Sequence, residues 1–348
     1  MDRYQLLTRN TIEVVTEEEA RKLLDRKSTG YIGFEPSGLP HIATGIMWPL
    51  KIRDAVESGI DMTVLLADWH AYINDKLGSN IERIRNAGII FEETMKRMGV
   101  PESVKFLWAS DVIDKAEYWQ TLLRIAKNAN LKRIVRALPI MGRSEDDANK
   151  DFSKYIYPLM QVTDIAFLNY DLAMGGMDQR HAHMLSRDLS DKMGTKKAVA
   201  IHGPLISSLK GSGRMDPGKA EMPVPEVKMS KSDSSSAIFM FDDPETIRKK
   251  IASSFCPQGV IQGNPVIDIV KYIIFPRMDS GLTIERPPEK GGDLRITTSD
   301  ELLKLYSENK IHPMDLKSAV TKNLIEIMRP VADLPSRLSG EIRSVLGQ

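Results

Sequence analysis

The run Met62-Thr63-Val64-Leu65-Leu66-Ala67-Asp68 shows no alternation of apolar and polar positions. A strand with one wet face alternates, so this run predicts a strand buried on both faces, with layers packed above and below it. Further strand candidates are Tyr31-Ile32-Gly33-Phe34 and the segments 104–109, 171–173 and 197–206. Helical patterns lie between them. Thr16-Glu17-Glu18-Glu19 has the capping-box spacing and opens a short charged helix through Leu24. Asn80 caps another, whose apolar positions Ile84, Phe91, Met95 and Met98 precede Gly99. Strands alternating with helices predict an α/β fold, a doubly wound parallel sheet with helices on both faces. Ligands of such sheets bind beyond the carboxyl ends of the strands, where Glu35, Asp68 and His70 fall.

A chain of 348 residues outgrows a single core. A new apolar pattern begins beyond Asp242, at 247–255 and 266–275, and a Pro/Gly-rich connector at 286–292 precedes the closing helices. The expected division is a sheet domain over 1–240 and a smaller, mostly helical domain over 241–348. The first would contain a helical insertion at about 114–150, a candidate dimer contact, and a mobile loop at 210–235 without apolar period. The net charge of +1 argues against a polybasic binder, so nucleic-acid contacts must come from local patches. Such patches exist at Lys132/Arg133/Arg136/Arg143, Lys196/Lys197 and Arg248/Lys249/Lys250, and each also suits a solvated helix face. The single cysteine, Cys256, excludes an internal disulfide and a cysteine-based zinc site. No run approaches the roughly 18 apolar residues of a membrane span, and Met1-Asp2-Arg3-Tyr4-Gln5 holds no signal core. The expected location is the cytoplasm.

Four stretches carry candidate chemistry. Tyr31 through Gly45 reads as strand, Pro/Ser/Gly turn and helix mouth with His41 beside it. Unpaired N–H groups and the dipole at a helix N-terminus suit a phosphate, and glycines at 33 and 38 let a bulky ligand approach. An ordinary βα unit with a surface histidine cap fits the same residues. In 155–167, Tyr157, Gln161 and Asp164 stand at i, i+4 and i+7 on one face of an otherwise apolar helix. That stripe faces either a cavity or solvent. Gly175-Gly176-Met177-Asp178-Gln179-Arg180 reads as a loop suited to a ligand's ribose, or as a loop with an Asp cap. His181 and His183, two apart, point to different helix faces and make a poor metal pair. The fourth stretch, Lys228-Met229-Ser230-Lys231-Ser232, ends the long loop.

His41 paired with the 228–232 motif resembles the two signatures of class I aminoacyl-tRNA synthetases. The details resemble the tyrosyl-tRNA synthetase family of the archaeal and eukaryotic kind. They cover nearly the whole chain: 31–38, Leu66-Ala67-Asp68-Trp69-His70-Ala71-Tyr72, the Tyr157 stripe, 175–180 and His312-Pro313-Met314-Asp315-Leu316-Lys317. The resemblance implies a Rossmann-like catalytic domain followed by a helical anticodon-binding domain. It also implies tyrosine activation by ATP, with release of pyrophosphate, and transfer of tyrosyl to the 3′ end of tRNA(Tyr). Tyr31 and Asp164 would hold the phenol, and Glu35, Tyr157, Gln161 and Gln179 would surround the amino and carboxyl groups. Asp178 would meet the ribose. Ser37, His41, Thr44, Lys228, Ser230 and Lys231 would lie along ATP, with His41, Lys228 and Lys231 stabilising charge on the departing pyrophosphate. His312, Asp315 and Lys290 would meet tRNA. Mg²⁺ would arrive on ATP, with no tightly bound cofactor and no protein-held metal, and a homodimer is expected. The family's His-Ile-Gly-His is His41-Ile42-Ala43-Thr44 here, Lys290 stands where an aromatic stacks on an anticodon base, and the loop before Lys228 is longer than usual. A plain helix N-cap is the other reading of Asp315. Three rivals stay open at this point: a tryptophan-specific synthetase, a nucleotidyltransferase, and a catalytically silent RNA-binding paralogue.

Overall fold

The computed structural model describes residues 1–143, 145–211, 229, 235–278 and 280–348, without the side chains of Lys150 and Lys290. Six strands form one sheet: β1 Glu13–Val15, β2 Ser28–Phe34, β3 Ile60–Leu66, β4 Lys105–Trp108, β5 Leu172–Gly176 and β6 Val199–Gly203. Their order is β1-β6-β5-β2-β3-β4. Every pairing is parallel except β1 with β6. β5 and β6 are buried throughout and β3 nearly so, as strands covered on both faces must be. From β2 the chain winds outward to β3 and β4, and from β5 it winds the other way to β6. The order therefore reverses between β2 and β5, where Tyr31 pairs with Ala173. In sheets of this kind ligands bind at that switch point, which here lies beyond Phe34 and Gly176.

The doubly wound α/β class is as the sequence predicts. The antiparallel edge strand β1 is an addition, because three residues are too short to display a period. β5 runs on through Gly175 and Gly176, so the two glycines end a buried strand rather than form a loop. Asp68 does not end a strand. It opens the Asp68–Ile73 helix, and its buried carboxylate accepts from Trp69 N at 2.9 Å and Ser110 N at 3.0 Å. That ties the Asp68–Ile73 turn to the Ala109–Ile113 helix. The Thr16 capping box and the Asn80 cap form as expected.

Between β4 and β5 run the Ala116–Asn128, Leu131–Ala137 and Glu145–Lys150 helices, then Ser153–Phe167. The inner face of the first (Tyr118, Leu122, Ile125) joins Leu159, Met160, Val162 and Ile165 of the last in one core cluster.

Two compact units emerge. One is Met1–Gly38, Lys51–Pro204 and Gly340–Gln348; the other is Leu39–Leu50 with Leu205–Ser339. They interleave along the chain rather than meeting at one cut near residue 240. Backbone bonds give the reason: Ile42 N donates to Ile238 O at 3.0 Å, and Met240 N donates to Pro40 O at 2.9 Å. The second unit is mostly helical, with Pro244–Ser253, Ser299–Ser307 and Pro313–Met328, and adds an antiparallel pair, β7 Leu282–Ile284 with β8 Leu294–Ile296. No described helix is long and apolar enough to cross a membrane.

Candidate active site

The Ser153–Phe167 helix is buried along most of its length, so its polar side chains have no bulk water to face. Tyr157, Gln161 and Asp164 are all buried, Asp164 to 1 % exposure. A carboxylate there requires partners. Tyr118 Oη donates to Asp164 Oδ1 at 2.8 Å, and His70 Nε2 lies 3.0 Å from Oδ2. The His70 ring meets the Tyr157 ring edge-on at 5.2 Å. Tyr31, from β2, is buried and stacks on Tyr170 at 5.4 Å. Burial, reinforced by the Asp164 charge, pushes the Tyr31 and Tyr118 hydroxyls well above the ordinary phenol range, so both stay O–H donors. Burial works against a charged His70. Asp164 outweighs it, with help from Glu35 and Asp68, and the imidazole is raised above its usual value.

The other end of the stripe is amide-rich. Gln161 Nε2 donates to Gln179 Oε1 at 3.1 Å, and Gln179 Nε2 donates to Ile140 O at 3.1 Å. Gln161 Oε1 is buried without a donor among the described residues. Asn74 Nδ2 donates to Glu35 Oε1 at 2.7 Å, and Arg143 Nε holds Asn74 Oδ1 at 3.0 Å. Burial pushes the Tyr157 hydroxyl up, and the charges of Glu35, Asp164 and Asp178 act on it in the same direction. The stripe and both strand ends thus converge on one polar enclosure in the first unit. Gly33, the exposed residue of β2, also serves its own strand neighbour. A Cβ there would stand 2.6 Å from Tyr31 Oη, so the glycine makes room for the tyrosine hydroxyl.

In the second unit His41 is largely buried and bridges to Phe239. Its N–H donates to Thr44 Oγ1 at 3.1 Å, whose hydroxyl returns to His41 O at 3.0 Å, so Thr44 closes its own turn. Ala43–Met47 is a π-helical turn leading into Trp48–Glu57. Lys228, Ser230 and Lys231 lie outside the described residues; of their motif Met229 is described, buried, with its N–H on Ile206 O at 2.9 Å. Most of the 210–235 loop lies outside them too. His312, not Asp315, caps the Pro313–Met328 helix, its Nδ1 accepting from Met314 N at 3.2 Å, because Asp315 already stands inside the first turn. Ser37 is half-buried, and Lys290 ends the Pro288–Lys290 turn.

A family model described as class I tRNA synthetases of the tryptophan and tyrosine kind matches residues 23–329. The chain belongs to this family. A tyrosine–tRNA ligase of Picrophilus torridus is 52 % identical, with 98 % of this chain and 100 % of that protein covered. The crystal structure of tyrosyl-tRNA synthetase from Aeropyrum pernix is 43 % identical with a TM-score of 0.87, covering 99 % of this chain and 98 % of its own. That of the Pyrococcus horikoshii enzyme complexed with L-tyrosine is 38 % identical with a TM-score of 0.92, both chains fully covered. The chain thus shares the class I synthetase fold, with its Rossmann-like catalytic sheet, over its length.

Sequence reasoning placed His70 near the crevice but missed its pairing with Asp164, and it missed Tyr118 and Asn74 as supports. Tyr118 sits at i with Leu122 and Ile125 at i+4 and i+7. That spacing marks an inward face, on which a tyrosine hydroxyl needs a buried partner.

Proposed function

We infer that the chain is a tyrosine–tRNA ligase, activating L-tyrosine with ATP to tyrosyl-adenylate and pyrophosphate and then charging tRNA(Tyr). The observation that carries this reading is Asp164, a buried carboxylate with a tyrosine hydroxyl bonded to Oδ1 and an imidazole nitrogen 3.0 Å from Oδ2. With its charge acting on Tyr31, it suits a phenol, whose O–H donates to a carboxylate and accepts from a hydroxyl. Phenylalanine would leave buried polar groups unpaired, and an indole N–H, which only donates, would use half of the arrangement.

Glu35, Tyr157, Gln161 and Gln179 then receive the ammonium and carboxylate, and Asp178 the ribose. Members of this family use ATP as a substrate, and Mg²⁺ would travel on it. Ser37, His41, Thr44, Lys228, Ser230 and Lys231 are assigned to ATP. His41 and the two lysines neutralise charge growing on the leaving pyrophosphate, while positioning supplies the rest of the acceleration. His312, Asp315 and Lys290 are assigned to tRNA, Lys290 through backbone electrostatics rather than stacking. Trp119 and Leu123, exposed four residues apart on one helix, together with exposed Leu131, support a homodimer through this face. The lone Cys256, buried and free, fits a reducing cytoplasm.

ATP–pyrophosphate exchange with a panel of amino acids tests the assignment. Tyrosine-dependent exchange is expected; exchange driven by tryptophan, or tRNA binding without any exchange, would overturn it. In the same assay Lys231→Ala lowers kcat for adenylate formation by about 100-fold or more while tyrosine affinity holds.

A further inference from the structure

A second chain of polar groups, separate from the Asp164 cluster and buried at its two histidines, runs beside the 175–180 segment. It starts at Glu13 on β1, which Arg180 Nε grips through both oxygens at 3.0 and 2.8 Å. Glu13 Oε2 lies 2.8 Å from His202 Nδ1 on β6, and His202 Nε2 lies 3.0 Å from His183 Nδ1. The two imidazoles stack with centroids 5.1 Å apart and are 0 % and 2 % exposed.

The tautomers follow from donor and acceptor capacity. A carboxylate only accepts, so His202 Nδ1 carries the hydrogen. Neutral His202 then has a bare Nε2, which accepts from His183 Nδ1–H. That leaves His183 Nε2 bare, and it is the one ring nitrogen of the pair without a partner among the described residues. Burial, with His202 beside it, lowers His183 to about 3, which keeps the ring neutral. Burial also lowers His202, assisted by Arg180 and opposed by Glu13 and Asp178.

The relay touches the 175–180 segment at both ends. Arg180 closes it. At its start a Cβ on Gly175 would meet Gln179 Cβ at 3.0 Å and His183 Cε1 at 3.1 Å, so the His183 ring and the Gln179 stem share the space a side chain would fill. Between these anchors stand Asp178 and Gln179, in the Met177–Gln179 turn.

We propose that His183 and His202 are positioning residues for the Met177–Gln179 turn, a neutral imidazole relay from the β1 edge that sets where Asp178 and Gln179 meet ATP and tyrosine. The proposal rests on the functional reading above. Steady-state ATP–pyrophosphate exchange by the full chain, with thermal melting alongside, tests it on His183→Leu, His183→Asn and His202→Asn. His183→Leu is expected to raise KM for ATP and for tyrosine about tenfold, with kcat within about threefold, because the bare His202 Nε2 loses its donor. His183→Asn, whose amide N–H can take the place of Nδ1–H, recovers most of the loss. His202→Asn keeps the donor to Glu13 but not the acceptor for His183, and reproduces the KM rise even where the leucine variant fails to fold. Wild-type KM values, with kcat falling only as the folded fraction falls, would mean a purely structural pair and overturn the proposal. So would a His183→Asn variant that folds without recovery. Absence of exchange in the wild-type chain would instead overturn the functional reading, and the proposal with it.

Discussion

What Asp164 contributes to the fold depends on whether the imidazole beside its Oδ2 is protonated. Its Oδ2 faces His70, raised above the usual imidazole value of 6.5 once Asp164, Glu35 and Asp68 outweigh burial. A histidine raised on folding contributes stability that is fully present below 6.5 and lost as the pH rises through its folded value. Asp164→Asn removes the main attraction. Its cost in urea unfolding is therefore expected to be about 2 kcal/mol below pH 6.5 and to shrink as the pH rises through the folded value of His70. The same variant narrows discrimination between tyrosine and phenylalanine in exchange by about tenfold or more. A cost that grew with pH would show His70 to be uncharged in the folded protein. The spacing 157, 161, 164 made the stripe legible in the sequence, since three residues on one helix share a face whatever surrounds them. His70 and Tyr118 were not legible as its partners, because 94 residues of chain separate His70 from Asp164 and only helix packing brings them together.

Helices carry the site, and a buried lysine ties two of them together. Lys154 is 2 % exposed at the start of the Ser153–Phe167 helix. Its ammonium donates to Ile73 O, the last residue of the Asp68–Ile73 helix, and pairs with Asp75 at 2.7 Å and Asp151 at 3.0 Å. A cation at a helix C-terminus meets unpaired carbonyls and the negative dipole end. This contact fixes the helix bearing His70, and Asn74 just after it, against the helix bearing Tyr157 and Gln161. Lys154→Met is expected to cost about 1–3 kcal/mol and to raise KM for tyrosine more than for ATP. Thr16→Ala, which breaks the capping box ahead of Glu17–Leu23, costs about 1 kcal/mol and leaves both KM values alone, since no site residue lies on that helix. Calorimetry beside exchange kinetics separates the two. The capping box was legible because its chemistry is local. The extent of β5 was not: Gly175 and Gly176 read as a loop, and pairing with β6 holds them in the strand.

At the scale of the molecule, the parallel sheet was legible because strands buried on both faces lose their alternation. The edge strand β1 and the interleaved units were not, since both rest on backbone pairings between distant segments. The same sheet sets the response to acid. His183 sits at about 3 under its burial, so below 6.5 the unfolded chain takes up a proton that the folded chain refuses, and stability falls with pH from there. Neutral His202, also lowered, adds to that slope. Asp171 acts later. Burial raises it, but Arg26 at 2.7 Å, Thr29 N at 2.9 Å and Lys196 at 3.0 Å overcome burial and hold it at about 2. Its stabilisation is present above 3.8 and lost as the pH falls toward about 2. Urea midpoints measured from about pH 7.5 to 3 should thus fall in two stages. The first is worth up to about 4 kcal/mol from His183, the second about 1 kcal/mol from the partly screened Asp171. His183→Asn flattens the first stage and leaves the second, whereas Asp171→Asn does the reverse. A first stage that survives His183→Asn intact would assign the loss to other groups, and a single transition near pH 4 in the wild type would return it to the carboxylates alone.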